Sequence, residues 1–555
     1  MRVIICQILS LSLLCAAMAT SAEREPHQFQ VQEVIIPMSD GDKLAADVYL
    51  PGEGKYPTIL TITMSSKKAA PVKHFPRTDA WYSGNYAMVC VERRGAGKSR
   101  NNSLRPGINP DGHDGHDVVE WIAAQPWSDG KIGMWGASNQ GKIQYATAMT
   151  QPPHLVCIMP AETTPNTREY DNLGISYDQV YIGGVLRLEL LQKAQRSKEG
   201  RAGQPGGVPD QISQHMLDDG FFDQRPEGAP TLLDVKVPIM SVGAWFDNDN
   251  NRVSINLFMR LQSETLEKMR PHHRLLIGPW IHTGVYTDEQ QGELYFPGAA
   301  AYYQKREKQF YDYWLRGIQN GQDETPNFTW YQMGENAWQT SDTWPSENTG
   351  EKVWYLHPDG KLSADKPAGS GGSMKFTANP DNPVPTVGGM NKRSNYGKGP
   401  CDQREKVETH SDVLLYTSPV LDEDCNLQGD VKVQVFVSTD AEDTDVAFRL
   451  TDVFPDGRSL LLRDGILRMS LRNTRKAYEF LTPDQIYEGV IETFPVGYTI
   501  QKGHCLRLII SSSNYPRWDV NTNTRNKLGE AKAAHNKLYV DAEHPSALIL
   551  TTGSK

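Results

Sequence analysis

Residues 131–148 read KIGMWGASNQGKIQYATA, and the fold turns on how this stretch divides. Ile132 to Trp135 form an apolar run of strand character, Gly136-Ala137-Ser138 make a sharp turn, and the residues that follow have the apolar spacing of a helix. A strand that turns abruptly into a helix holds the turn residue in a constrained backbone conformation and lifts its side chain clear of the sheet. Ser138 occupies that place and is the candidate nucleophile, while Gly136 and Gly141 remove side chains that would crowd it. A G-x-S-x-G turn has its second glycine two residues after the serine. Here Gln140 stands there and Gly141 comes one later.

Two further apolar runs end in the partners such a serine needs. VPIMSVGAWFDND (237–249) reads as a buried strand ending in Asp247, and RLLIGPWIHTG (274–284) as another that runs through Gly278-Pro279 to His282. Each polar residue falls just past the carboxyl end of a predicted strand, the edge at which open α/β sheets place their chemistry. The chain order Ser, Asp, His is that of α/β-hydrolases.

WSDGKIGMWGASNQG (127–141), GAWFD (243–247) and GPWIHTG (278–284) resemble the nucleophile, acid and base segments of the cocaine esterase family, which includes α-amino acid ester hydrolases, glutaryl-cephalosporin acylases and X-prolyl dipeptidyl peptidases. That family's elbow is usually G-x-S-Y-x-G, which accounts for the late Gly141. QFYDYWLRG (309–317), WPSENTGEKVWYL (344–356), DTDVAFRLTDVFPDGRSLLLRDGILR (443–468) and SSSNYPRWDVNTNT (511–524) have counterparts in it as well, so the resemblance covers nearly the whole mature chain. It implies an α/β-hydrolase core with an inserted helical cap, and a C-terminal jelly roll that packs on the core and contributes one pocket wall.

The 555 residues suggest three or four domains by length alone. Residues 1–22, with Arg2 followed by an apolar stretch and then small residues, read as a secretory signal cleaved after Ala22 or Ala19, which predicts a secreted or periplasmic protein. Leu14 before Cys15 argues against lipidation, and no later segment is apolar for long enough to insert stably in a membrane. A formal charge of −10 argues against nucleic acid as a partner. Removing Cys6 and Cys15 with the signal leaves five of the seven cysteines. Cys90 and Cys157 lie in strand-like runs and read as inert core thiols, a Cys401–Cys425 disulfide stays open, and no pair has C-x-x-C spacing.

Strand-like and helical runs alternate over 23–160, and the pattern resumes over 231–349. Together these form the α/β core. Between them, 161–230 carries helical spacing (VLRLELLQKAQ) and the glycine-rich GRAGQPGGVP, with no clear strand signal; it reads as a cap over the strand ends. The last core helix, KREKQFYDYWLRG, stops at Gly317. Residues 350–555 read as an all-β domain in which Val431, Val433, Val435 and Val437 share one face.

The chemistry expected is acyl transfer without a cofactor. His282 takes the Ser138 proton, Asp247 holds the imidazole, and the backbone N–H of Asn139 is the first oxyanion donor. Where the family carries a tyrosine hydroxyl as the second donor, this chain has Ser65, beside Ser66. Lys67, in the same loop, and Asp249, at a position that is aromatic in cocaine esterase, are candidate pocket residues. The substrate expected is a small ester or amide; a dipeptidyl or N-acyl peptidase is the alternative. A binding protein with a degenerate hydrolase core is the reading from another class, and oligomerisation stays open. DGHDGHD (111–117) suggests a metal cluster, but it precedes a helical run that Asp117 is placed to cap, so no metal is expected. Arg94 reads as structural in place of an anion site.

Overall fold

The computed structural model describes residues 29–64, 67, 85–99, 110–163, 177–188, 214–223, 231, 234–247, 250–282, 284–285, 289–391 and 394–553. The expected signal peptide, Ser65, Ser66 and Asp249 lie outside them. Ten strands form one sheet: β1 (Gln30–Pro37), β2 (Lys43–Leu50), β3 (Tyr56–Thr63), β4 (Ala87–Glu92), β5 (Ser128–Ala137), β6 (Leu155–Ala161), β7 (Met240–Phe246), β8 (Arg274–Ile281), β9 (Phe328–Gln332) and β10 (Ala337–Ser341). Their order is β1-β2-β4-β3-β5-β6-β7-β8-β9-β10. Pairing is parallel from β4 through β9 and antiparallel at both edges.

Every residue of β4 and of β7 is buried, as a strand covered on both faces requires. This is why AMVCVE and MSVGAWF read as continuous apolar runs without alternation. The covering helices include α1 (Pro110–Ala123), α2 (Asn139–Met149), α3 (Asn250–Glu264) and α4 (Ala299–Arg316). The last ends at Gly317, whose φ of 70° is the left-handed stop that glycine takes without steric cost.

From Thr349 the chain builds a β-domain of two sheets. An eight-stranded sheet is organised around the long strand Cys425–Thr439, and a four-stranded sheet joins Leu414–Thr417, Asp445–Val453, Ser459–Arg468 and Cys505–Ser511. Val431, Val433, Val435 and Val437 are all buried, and the residues between them are half-exposed. One apolar cluster runs from Trp135, Trp245 and Ile277 of the core to Val433, Leu508 and Leu550 of this domain. The valine face expected over 431–437 is therefore the one that packs inward.

The described part of 161–230 corrects the expectation that it carries no strands. It holds one helical turn, Tyr177–Val180, and a short hairpin of Tyr181–Ile182 with Val185–Leu186. The hairpin turns on Gly183-Gly184, at φ 58° and 80°, the mirror-image turn that two glycines favour. A Cβ on Gly183 would lie 1.8 Å from the Ile466 carbonyl oxygen, so the hairpin docks on the β-domain through bare backbone. The Arg468 N–H donates to Gly183 O at 2.9 Å.

Candidate active site

Four adjacent strands deliver four polar side chains to one edge of the sheet. Ser138 follows β5, Glu162 follows β6, Asp247 follows β7 and His282 follows β8. Because β5 to β8 are neighbours in that order, residues far apart in sequence meet with no long loop between them.

Ser138 has φ 57° and ψ −121°, a backbone conformation that non-glycine residues rarely adopt. Its N–H donates to Ala161 O at 2.9 Å and its carbonyl accepts the Lys142 N–H at 3.1 Å, which fixes the elbow between β6 and α2. Gly136 is needed at φ 135°, where a Cβ would lie 2.6 Å from the Gln140 Cβ. The late Gly141 has its own cause, since a Cβ there would come within 2.3 Å of Thr163 Cγ2, just beyond the end of β6. Gln144, which sequence reasoning missed, is buried beneath the turn. It donates to Gly136 O at 2.9 Å and accepts the Met159 N–H at 2.9 Å, clamping β5 to β6.

His282 Nδ1 lies 2.8 Å from Asp247 Oδ1. The Asp247 side chain is sealed from solvent, whereas the imidazole is 12% exposed and Ser138 is half-buried. A sealed acid thus holds the imidazole from one side and leaves the ring one open edge. The loop bearing His282 is held by a second residue absent from the sequence reading, Gln291, which is fully buried and accepts the Ile281 N–H at 2.8 Å.

Glu162 is likewise new. It is fully buried at φ 49°, its N–H donates to Val242 O at 2.7 Å, and its Oε2 lies 3.6 Å from His282 Nδ1. Its signal was present, an acid ending the apolar run LVCIMPA, but the boundary drawn at 160 assigned it to the cap. Glu162, Asp247 and His282 have ligand atoms within 4.8 Å of one another. The 2.8 Å contact between Nδ1 and Asp247 is hydrogen-bond length, short of the roughly 3.3 Å edge of a tetrahedral zinc site with ~2.0–2.1 Å bonds.

Other sequence candidates lie elsewhere. Lys67, expected in the pocket, turns inward. Its side chain is 1% exposed, and its ammonium lies 2.5 Å from Asp47 on β2 and 3.3 Å from Glu33 on β1. The Lys67 N–H donates to buried Glu92 at 2.9 Å. Asn139 opens α2, so its N–H has no acceptor within the helix and lies at the positive end of the helix dipole.

DGHDGHD is not a helix start, because α1 already begins at Pro110. Asp117 accepts the Ser39 N–H and Oγ–H, both at 2.8 Å, instead of capping. Asp111 pairs with Arg93, and Asp114 accepts two bonds from Arg94 at 2.7 and 3.0 Å. Arg94 is buried, also pairs with Asp40 at 2.9 Å, and its ionisation is pushed further up first by the bond to Asp114. Cys90, Cys157, Cys401, Cys425 and Cys505 are all free thiols, so Cys401 and Cys425 form no disulfide here.

Comparison with known proteins supplies the kinship. The model of the X-Pro dipeptidyl-peptidase (S15) family matches residues 40–284, and that of the X-Pro dipeptidyl-peptidase C-terminal non-catalytic domain matches 320–549. Cocaine esterase of Rhodococcus sp. (strain MB1 Bresler) is 29% identical, over 93% of this chain and 97% of that protein. Among solved structures, an aminopeptidase from a Thaumarchaeota archaeon of marine sediment superposes with a TM-score of 0.80 at 22% identity, covering 95% of this chain and 97% of its own. An α-amino acid ester hydrolase does so with 0.77 at 22% identity, covering 98% and 100%. At that identity the two structures speak for the fold.

Proposed function

For this chain, a serine hydrolase related to cocaine esterase and to the S15 peptidases, we propose that it is exported and cleaves an ester or amide of a small acyl compound through a Ser138–His282–Asp247 acyl-enzyme mechanism. The observation that carries the reading is the 2.8 Å contact between His282 Nδ1 and Asp247, at the strand ends beside a strained Ser138. With Nδ1–H donated to Asp247, the imidazole keeps Nε2 unprotonated and able to take the serine proton. Ser138 Oγ then attacks the carbonyl carbon, the leaving group takes the proton back, and water repeats the cycle on the acyl-enzyme.

We assign the Asn139 N–H as the first oxyanion donor and Ser65, or its neighbouring backbone, as the second. Export rests on the signal-like residues 1–22, and among the described residues no helix is long and apolar enough to cross a membrane. The peptidase alternative draws on the name of the matched family.

Labelling by a fluorophosphonate, lost in Ser138→Ala, is the expected result, and an unlabelled wild type would return the chain to the binding-protein reading. Rates across p-nitrophenyl esters and aminoacyl anilides then separate the two enzymatic readings. Preference for anilides with a free α-amine would favour the peptidase.

A further inference from the structure

The cluster at the strand ends holds a carboxylate that a Ser–His–Asp relay does not require. Glu162 combines three unfavourable features: a fully buried carboxyl, a left-handed φ of 49° on a residue with a Cβ, and a second acid 3.6 Å from an imidazole nitrogen that Asp247 already engages at 2.8 Å. An apolar residue at 162 would avoid the first and the last. Topology fixes the placement. Ala137 pairs with Ala161 and Ala161 with Val242, so the residue after β6 emerges between the turn of Ser138 and the strand that ends in Asp247.

We propose that Glu162 is a second acid for the base: a positioning residue that shares the His282 Nδ1 proton with Asp247 and carries part of the imidazolium charge. The proposal rests on the serine-hydrolase reading above. When the Ser138 O–H bond breaks and the proton moves to Nε2, the ring becomes a cation facing two carboxylates, which offsets their mutual repulsion at the step where charge develops. The proton on Nδ1 stays where it is. Should Asp247 be lost, Glu162, 3.6 Å from Nδ1, is the carboxylate left to take its place.

Among the described residues, the charged groups against His282 are Asp247 and Glu162. A further one close to this edge, the Arg463 guanidinium, lies 5.8 Å from the Phe246 ring centroid, and its N–H groups donate to the carbonyls of Leu462, Phe494 and Pro495. The pH response of the base should therefore follow the two carboxylates.

The test is the rate of Ser138 labelling by a fluorophosphonate, measured from roughly pH 5 to 9, which needs no known substrate. Asp247→Ala should slow labelling only ~10–100-fold, against the ~10⁴ expected of a triad acid with no stand-in. Adding Glu162→Gln to Asp247→Ala should cost a further ~100-fold. In Glu162→Gln alone, one negative charge facing the ring is lost, so the acid limb of the labelling profile should move down by about 0.5–1 pH unit, whereas Glu162→Asp keeps the charge and holds the limb closer to wild type. An unmoved limb, a double variant no slower than the single, or a ~10⁴-fold loss in Asp247→Ala overturns the proposal. If Glu162 variants do not fold, Asp247→Ala decides by itself. An unlabelled wild type would instead fail the serine-hydrolase reading.

Discussion

Holding Ser138 at φ 57° and ψ −121° costs on the order of 1–3 kcal/mol, and the surrounding bonds recover it: Ser138 N–H to Ala161 O, Lys142 N–H to Ser138 O, and Gln144 across both strands. Ser138→Ala and His282→Ala should each abolish turnover, and the double variant should be no worse than either, because nucleophile and base act as one unit. Additive losses would show that the two residues serve separate steps. A different single residue contributes to the acid stability. Burial, with His272 and Arg274 beside it, pushes the His273 imidazole down to about 3, so the folded protein keeps it neutral. The unfolded chain takes up that proton below ~6.5, so this contribution is intact above pH ~6.5 and is lost as pH falls toward ~3. Comparing urea midpoints at about pH 7.5 and 4.5, His273→Leu should lose ~2–3 kcal/mol less than wild type over the interval. Parallel losses in the two proteins would refute the assignment.

Among elements, the acid-rich helix shows why a motif can be misread. Gly112 and Gly115 of DGHDGHD sit three apart on α1 and face α2, where a Cβ on Gly112 would lie 3.0 Å from Ala146 O and one on Gly115 only 1.8 Å from Thr147 Oγ1. They let α1 press against the helix that carries the elbow, while Asp111, Asp114 and Asp117 of the same motif serve Arg93, Arg94 and Ser39. Gly115→Val should therefore lower the thermal midpoint by overpacking worth ~1–3 kcal/mol or more, and slow Ser138 labelling, while chelators leave wild-type activity unchanged. Zinc-restorable loss in EDTA would reinstate the metal reading. Ser138, Asp247 and His282 were legible because each ends an apolar run, and a strand buried on both faces leaves that trace in sequence. Glu162 leaves the same trace, but its meaning depends on β6 lying between β5 and β7, a fact of pairing. Lys67 reads as a pocket candidate from its loop alone, because its partners, half-buried Asp47 and exposed Glu33, come from strands distant in sequence.

At the scale of the whole molecule, the β-domain reaches the strand that positions the acid. Met333 bridges Tyr498, Gln332 donates to Leu427 O and Thr499 Oγ1 at 3.3 and 3.1 Å, and the Arg463 guanidinium lies 5.9 Å from the Trp245 ring centroid. Trp245, two residues before Asp247, also donates from its indole to Tyr331 O at 2.8 Å. A close joint to β7 is Gly497, where a Cβ would lie 2.8 Å from Trp330 Cδ1 and 2.9 Å from Trp245 Cζ2. Gly497→Val should push both rings, displace the end of β7 and weaken the alignment of Asp247 with His282. Labelling of Ser138 should slow at least ~10-fold, with overpacking of ~1–3 kcal/mol read as a lower midpoint of a single unfolding transition. Gly350→Ala is the control, since a Cβ there meets nothing within 4 Å and the residue lies in an edge-side strand of the same domain. It should match wild type in both measurements. Two resolved transitions, or a Gly497→Val protein that labels at the wild-type rate, would mean that the β-domain stands beside the catalytic core without bracing it.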